Sequence, residues 1–509
     1  MANNYFTPGV YLEEISTLPA SVVGVSTAVP CFIGYTENHA GLDKLSGSTV
    51  SEAVRIGSML DYESIFGGPL AYATITFNSY TATGISVASA AVQSLSRKYL
   101  MYYGMQAYFA NGGGPCWIVS VGGYPTGTTS AISGTALTDG LQATKLVDEI
   151  TLLLFPDAVN VIGASDADRL NAFYGTMTAA LAQCADLQDR FVIMDAYQNR
   201  AYDAITTGMY TVSNSATELR NYVGTQNLNY GAAYMPYVEK AGRIAYAPEH
   251  VRFALGTTDQ LNLVGANPSI TAATTTLQTL IDHVAANGSS SPYDGLLTDE
   301  FLRKVDEAIY ANDADTRLAM GPAAAVAGIY ATTDRNRGVW KAPANISLNG
   351  VAGPVQAITK AAQGDLNVHS TGKSINAIRT FTGKGHLVWG ARTLEGNSNE
   401  WRYVNVRRTF IYAEESIKKA TEFVVFEPND ANTWNKVRAM VENFLTGLWR
   451  DGGLAGAKPD DAFFVNVGLG ETMTSQDILE GRLIVEIGLA VVRPAEFIIL
   501  RFSHKLQES

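Results

Sequence analysis

EITLLLFPDAVNVIGASDADRLNAFYGTMTAALAQCADLQDRFVIMD, residues 149–195, decides the fold. Glu149–Phe155 is an apolar run, Asp166–Cys184 a helix with an acidic start, and Arg190–Asp195 a second apolar run. Short apolar runs bounded by polar residues read as buried strands. Strands alternating with a helix of this length predict βαβ units and a largely parallel sheet. Of the carboxylates here, Asp157, Asp166 and Asp168 follow a strand, where an α/β enzyme would place a catalytic acid. A helix N-cap at Asp166 is the simpler expectation.

Upstream, Val22–Val25, Val29–Gly34 and Cys116–Val121 read as strands. Ser58–Phe66 reads as a helix stopped by Gly67-Gly68-Pro69, and Arg97–Phe109 as a packed helix ended by Asn111–Pro115. Tyr124–Leu137, rich in Gly, Thr and Ser, reads as a loop. Downstream, Ala216–Val223 is helical and Gly231–Val238 strand-like. Two stretches fit neither pattern: Tyr72–Ala91, an excursion rich in Thr, Ser and Ala, and the acidic, patchy Glu239–Arg317.

Beyond Met320 the expected elements are a helix at Gly321–Ala331, an irregular tract Asp334–Asn345, and a strand near Val388. A strand or turn at Trp401–Val406, a helix at Ile411–Lys419 and a strand at Phe423–Phe426 follow. The helix Asn432–Leu448 sets Trp434, Val437, Val441, Phe444 and Leu448 on one face. The expected class is therefore mixed α/β with several domains. Its parts are an N-terminal arm (1–20), a first part of the core (21–123, with the excursion 72–91), an α/β domain (124–238), an inserted acidic outer segment (239–318), a C-terminal core domain (319–490) and a C-terminal strand arm (491–509).

A chain of 509 residues, 47% hydrophobic and only 17% charged, is ordered rather than disordered. A low share of charge also suits a surface hidden against neighbours. The net charge of −12 is uneven. Between Ser370 and Ala420 nine Lys/Arg face four Asp/Glu, a local +5 that hints at a polar partner or a lumen-facing surface. The scattered basic residues bring no nucleic-acid-binding motif. Cys31, Cys116 and Cys184 are odd in number and far apart, so a reducing cytosol is the expected home. The first residues carry no basic head before an apolar run, and no run of about 18 apolar residues predicts a membrane span.

Motifs for catalysis are incomplete. His369-Ser370-Thr371-Gly372-Lys373-Ser374 copies the end of a phosphate-binding loop, but Asn367 stands where the first glycine belongs. Gly468-Leu469-Gly470 lacks the third glycine of a dinucleotide fingerprint. No HExxH pair, His/Cys metal spacing or GxSxG elbow is present. The expectation is no catalytic residue, no cofactor and no metal, although the αβ alternation keeps a cytosolic α/β enzyme as the alternative.

TPGVYLEE near the start, NLNYGAAYMPYV (227–238), AGIYATTDRNRGVWKAPAN (327–345), WRYVNVRR (401–408), VFEPND (425–430) and PAEFI (494–498) occur in order. This ordered set resembles the tail sheath family of contractile phages and contractile injection systems. The resemblance implies a core built from N- and C-terminal regions, inserted outer domains and extended terminal arms. It also implies helical self-assembly around an inner tube protein, with baseplate and terminator or cap proteins at the ends, and neither nucleic acid nor membrane insertion. Val10, Tyr11, Leu12, Glu13 and Glu14 at one end, and Phe497, Ile498, Ile499 and Leu500 at the other, are the expected inter-subunit strands. Lys436, Arg438, Glu442 and Asn443 are the expected tube-facing residues. Assembly is expected in the cytoplasm of the producing bacterium, the product being part of a phage tail or injection particle.

Overall fold

The computed structural model describes residues 22–499 and 501, apart from 71–72, 82–83, 93–97, 126–131, 199–210, 243–250, 256–259, 263–268, 272–276, 292–298 and most of 300–317. The chain forms two compact units: Ser26–Tyr412 with Arg493–Ser509, and Met1–Val25 with Ala413–Val492.

The first unit is organised by a nine-stranded sheet of β1 (Pro30–Thr36), β2 (Val54–Ile56), β3 (Cys116–Gly123), β4 (Leu152–Leu154), β5 (Phe191–Asp195), β6 (Gly231–Met235), β7 (Ile346–Ser347), β8 (Asn376–Phe381) and β9 (Gly385–Trp389). Their order is β7-β9-β8-β6-β5-β4-β1-β3-β2. From β8 to β3 every neighbouring pair is parallel, with Leu153 opposite Val192 and Ile193 opposite Ala232. Antiparallel strands close both edges. Every residue of β1, β5 and β6 is buried. A parallel sheet is covered on both faces, which explains why its strands are apolar runs without alternation.

The helix Asp166–Leu187 links β4 to β5 and buries Leu170, Phe173, Tyr174, Met177 and Leu181. Its N-cap is Ser165, not Asp166. The Ser165 hydroxyl accepts from the Asp168 amide (3.2 Å) while the Asp168 carboxylate accepts from the Ser165 amide (3.0 Å). This reciprocal pair satisfies two end donors at once, which a carboxylate at 166 does not. The helices Met101–Ala110 and Ala323–Arg337 approach closely at Gly328, where an added methyl group would lie 2.5 Å from the Tyr108 carbonyl oxygen.

The two stretches without a clear sequence pattern pair with each other. Ala73–Thr81 forms a hairpin with Gly84–Val92 and runs parallel to Val251–Leu255. Val238–Lys240 pairs antiparallel with Ala319–Met320 and with Val351–Pro354, so the two ends of the segment between them lie side by side.

The second unit contains the helix Ala431–Arg450 and an antiparallel pair, Phe463–Asn466 with Glu486–Leu489. Asp430 caps the helix, its carboxylate accepting from the Asn432 and Thr433 amides at 3.0 Å. Val437, Met440, Val441, Leu445 and Leu448 form its buried face, with Trp434 and Phe444 at the margin. The Val25 amide donates to the Ser416 hydroxyl (3.1 Å).

Five local expectations are corrected. Val22–Val25 pairs with no strand among the described residues, and the stretch Tyr124–Leu137, expected as a loop, ends in the helix Gly134–Asp139, capped by the Ser133 hydroxyl. Trp401–Val406, expected as a strand or turn, opens as a turn at Trp401 with Tyr403 bridged to Arg392, but from Val404 it is the helix Val404–Thr421, because burial of Val404 and Val406 overrides their β-branched preference. Phe423–Phe426 is not a strand either. Glu422–Val424 forms a 3-10 turn whose exposed side chains have no sheet face to pack on. Asp334–Arg337, expected to be irregular, is the last turn of the helix begun at Ala323.

Candidate assembly interface

Among the expected arm residues, Val10, Tyr11, Leu12, Glu13, Glu14 and Leu500 lie outside the described residues. Phe497, Ile498 and Ile499 are described: they are 71%, 79% and 77% exposed, outside any helix or strand. Three consecutive large apolar side chains in water are unfavourable for a free subunit.

The residue just before this run is held firmly. Glu496 takes the Arg392 guanidinium in a two-pronged pair, with Arg392 Nε 2.9 Å from Glu496 Oε1 and Nη2 on Oε2. The Tyr403 hydroxyl donates to the same carboxylate at 3.3 Å, and Arg392 Nη1 donates to the Asn367 carbonyl at 3.0 Å. A second buried pair lies near the other end of the unit. Arg408 grips Asp334 through Nη2–Oδ2 (2.6 Å) and Nη1–Oδ1 (3.1 Å), and donates to the Thr27 carbonyl (2.8 Å). The strings quoted from the sequence hold Asp334, Tyr403, Arg408 and Glu496 but give no sign of their pairing or of Arg392.

The local positive surplus therefore does not form a basic surface. Besides Arg392 and Arg408, Arg407 lies 4.5 Å from the Tyr230 ring and 4.6 Å from the Trp401 ring. Arg379 donates to the Ile358 carbonyl and the Gln363 side chain. Lys373 of the phosphate-loop look-alike is buried with its amine on the Arg220 carbonyl, and burial pulls its pKa down. The amine a phosphate would need is already committed to the end of the helix Val212–Tyr222.

Of the expected tube-facing residues, Lys436 and Asn443 are exposed on the helix Ala431–Arg450, and Glu442 is half-buried. Arg438 is not available in the same way. Its Nη2 donates to the Val467 carbonyl (2.6 Å) and to Glu471 (2.7 Å), tying the helix to the loop of its own unit. A signal missed in the sequence is the apolar surface of this unit: Val425, Phe426, Phe464, Leu469, Leu479 and Ile484 are exposed, Phe426 fully so at 102% and Leu479 at 81%. Phe426 also sits in the left-handed backbone region (φ 71°), uncommon for a bulky residue. Within this unit Phe463–Asn466 and Glu486–Leu489 pair in a two-stranded sheet that no further strand joins among the described residues, while Val491, just past the second strand, bridges to Leu454. A two-stranded sheet is marginal alone and gains from added strands.

Two acids in the first unit look catalytic by burial. Asp157 accepts from the backbone amides of Tyr35 (2.7 Å), Leu100 and Met101 (3.0 Å), and Asp195 from the Ala323 amide (2.8 Å). Burial pushes each up to about 7 against these hydrogen bonds. Both acids receive amides at or near helix starts, a role in holding the Met101–Ala110 and Ala323–Arg337 helices.

A family model for the phage tail sheath C-terminal domain matches residues 397–505. The tail sheath protein of Vibrio phage KVP40 is 26% identical over 132 residues, 25% of this chain and 19% of that protein. The matched stretch thus spans about a fifth of that phage protein's length. The sheath of the extracellular contractile injection system PVC, solved in its contracted state, is 30% identical, with 99% of each chain covered and a TM-score of 0.59. The contracted helical sheath of the anti-feeding prophage is also 30% identical, over 98% of this chain and all of that one, with a TM-score of 0.58. Likeness at this identity from one end of the chain to the other leaves one conclusion: the protein is a member of the contractile tail sheath family.

Proposed function

We propose that this chain polymerises helically around an inner tube and shortens to drive the tube through a target envelope. The observation that carries the reading is a matched deficit. The run Phe497–Ile499 is exposed, while the strands Phe463–Asn466 and Glu486–Leu489 have, among the described residues, no strand partner beyond each other. A tail from one copy added to a sheet edge of the next supplies both needs with backbone hydrogen bonds. The unpaired edge, an aggregation hazard in a monomer, becomes the joint of a filament. Head-to-tail contacts that do not close generate a helix of subunits.

In this reading the joints persist while the bodies move between two packings, and the contracted lattice is lower in free energy. The work comes from assembly rather than from catalysis. Lys436 and Asn443 face the tube, with Glu442 beside them, and Arg438 braces the loop that shapes that face. The hairpin Ala73–Val92 and the segment 239–318 together form an outer domain, the latter inserted through the neck at Val238–Lys240 and Ala319–Met320. Baseplate and cap proteins are the natural partners at the two ends, in a phage tail or an injection particle assembled in the bacterial cytoplasm.

Negative-stain microscopy of the purified full chain tests this reading, beside a chain ended after Glu496. The full chain yields striated tubes and the shortened one dispersed particles. Tubes of normal length and striation from the shortened chain would refute tail exchange.

A further inference from the structure

We infer that Arg392 and Arg408 are positioning residues that clamp the roots of the two tails, so that load passing along the lattice ends at a buried ion pair. This assignment rests on the tail-exchange reading above. Between the exposed Ala495 and the exposed Phe497, Glu496 is the half-buried residue that ties this segment to the body. Glu496 holds a guanidinium whose side chain is 4% exposed, whereas Phe497 beside it is 71% exposed. At the other root, the Thr27 carbonyl accepts from both Arg408 (2.8 Å) and the Thr151 hydroxyl (3.0 Å), and that hydroxyl also accepts from the Val29 amide (2.8 Å). Residues 27–29 are thereby pinned just before β1.

The choice of chemistry is informative. A buried ion pair is a poor way to add stability, because desolvation offsets much of the attraction and an apolar contact does as well. What a two-pronged arginine–carboxylate pair supplies is direction: a planar fork accepts its partner in one orientation. Peeling a root also strands a charge inside the protein, which resists a pull more steeply than sliding an apolar contact. All the partners of the two clamps except Arg392 and the Asn367 and Thr27 carbonyls lie in the ordered strings of the sequence. Asp334 lies in 327–345, Tyr403 and Arg408 in 401–408, and Glu496 in 494–498. A common role in anchoring the tails accounts for strings that no catalytic site explains.

The test uses the full chain before assembly and reads the rate of chymotrypsin cleavage after Phe497, a peptide that fits the protease only once Glu496 leaves Arg392. Glu496→Gln keeps the shape and removes the charge; Tyr403→Phe removes one hydroxyl and little else. With the clamp as described, Glu496→Gln speeds this cut by about tenfold or more while amide exchange in β5 is unchanged, and Tyr403→Phe speeds it by about two- to threefold. Asp334→Asn speeds exchange of the Val29 amide, and sheaths built from either clamp variant break into short pieces. A wild-type cleavage rate in Glu496→Gln would overturn the assignment. Should Glu496→Gln not fold, an unchanged rate in Tyr403→Phe would overturn it, and a faster cut with β5 still protected would support it. Failure of tail exchange itself shows separately, as normal tubes from the chain ended after Glu496.

Discussion

The nine-stranded sheet and the unit of Ala413–Val492 differ in how far each is finished within one subunit. β1, β5 and β6 are buried on both faces, and their apolar runs are spent on the core. The other unit leaves Val425, Phe426, Phe464, Leu469, Leu479 and Ile484 in water over some sixty residues, with a two-stranded sheet at its centre. Six large apolar side chains left in water on so short a stretch suit a surface completed by contact. The difference teaches that stability and assembly are written in separate parts of the sequence, so substitutions should separate them.

The largest effect on the isolated subunit is expected inside the first unit. Phe173→Ala empties a fully buried position and lowers stability by about 3–5 kcal/mol in a denaturant titration. Next comes pH. Asp157 and Asp195 are raised to about 7 in the folded chain from an ordinary 3.8, so the native state holds protons that the unfolded chain has released. Their contribution is complete below about pH 4 and is lost as pH rises through about 7, on the order of a few kcal/mol in all. Asp195→Asn should flatten part of that slope in thermal melts from pH 4 to 8. A normal rise in stability over that range in the wild-type chain would contradict these assignments.

Smaller effects belong to the second unit. Asp430→Ala removes the cap of the helix Ala431–Arg450 and costs about 1 kcal/mol, seen as a modest drop in melting temperature. Leu479→Ser should change subunit stability by less than about 0.5 kcal/mol, because its side chain is already exposed. The same substitution should raise the concentration needed for sheath formation, measured by sedimentation. Equal losses of stability from Leu479→Ser and Phe173→Ala would erase the contrast between the two units.

The parallel sheet was legible because its strands carry the signature of two-sided burial. Leu152–Leu154 and Phe191–Asp195 are apolar without a break, and a long helix stands between them. Non-local pairing was not legible. Nothing in Ala73–Thr81 announces Val251–Leu255 as its neighbour, since the partners lie far apart in sequence and parallel pairing leaves no turn signal. The exposed tail at Phe497–Ile499 was readable as an apolar run beside a proline. The burial of Arg392, Arg407 and Arg408 was not, and it turned an apparent basic surface into internal structure. Charge counts record how many ions a segment holds but not which of them have partners. Phe423–Phe426 misled for a related reason: β-forming residues adopt strands only when a sheet receives them.

The central claim is that the second unit is completed by neighbouring copies. It is tested most directly by hydrogen exchange of the same full chain before and after it forms sheaths. Amides of Phe463–Asn466 and Glu486–Leu489 should gain at least about a hundredfold protection on assembly, while those of β5 stay as they were. Equal protection of these two strands in free and assembled subunits would contradict the account.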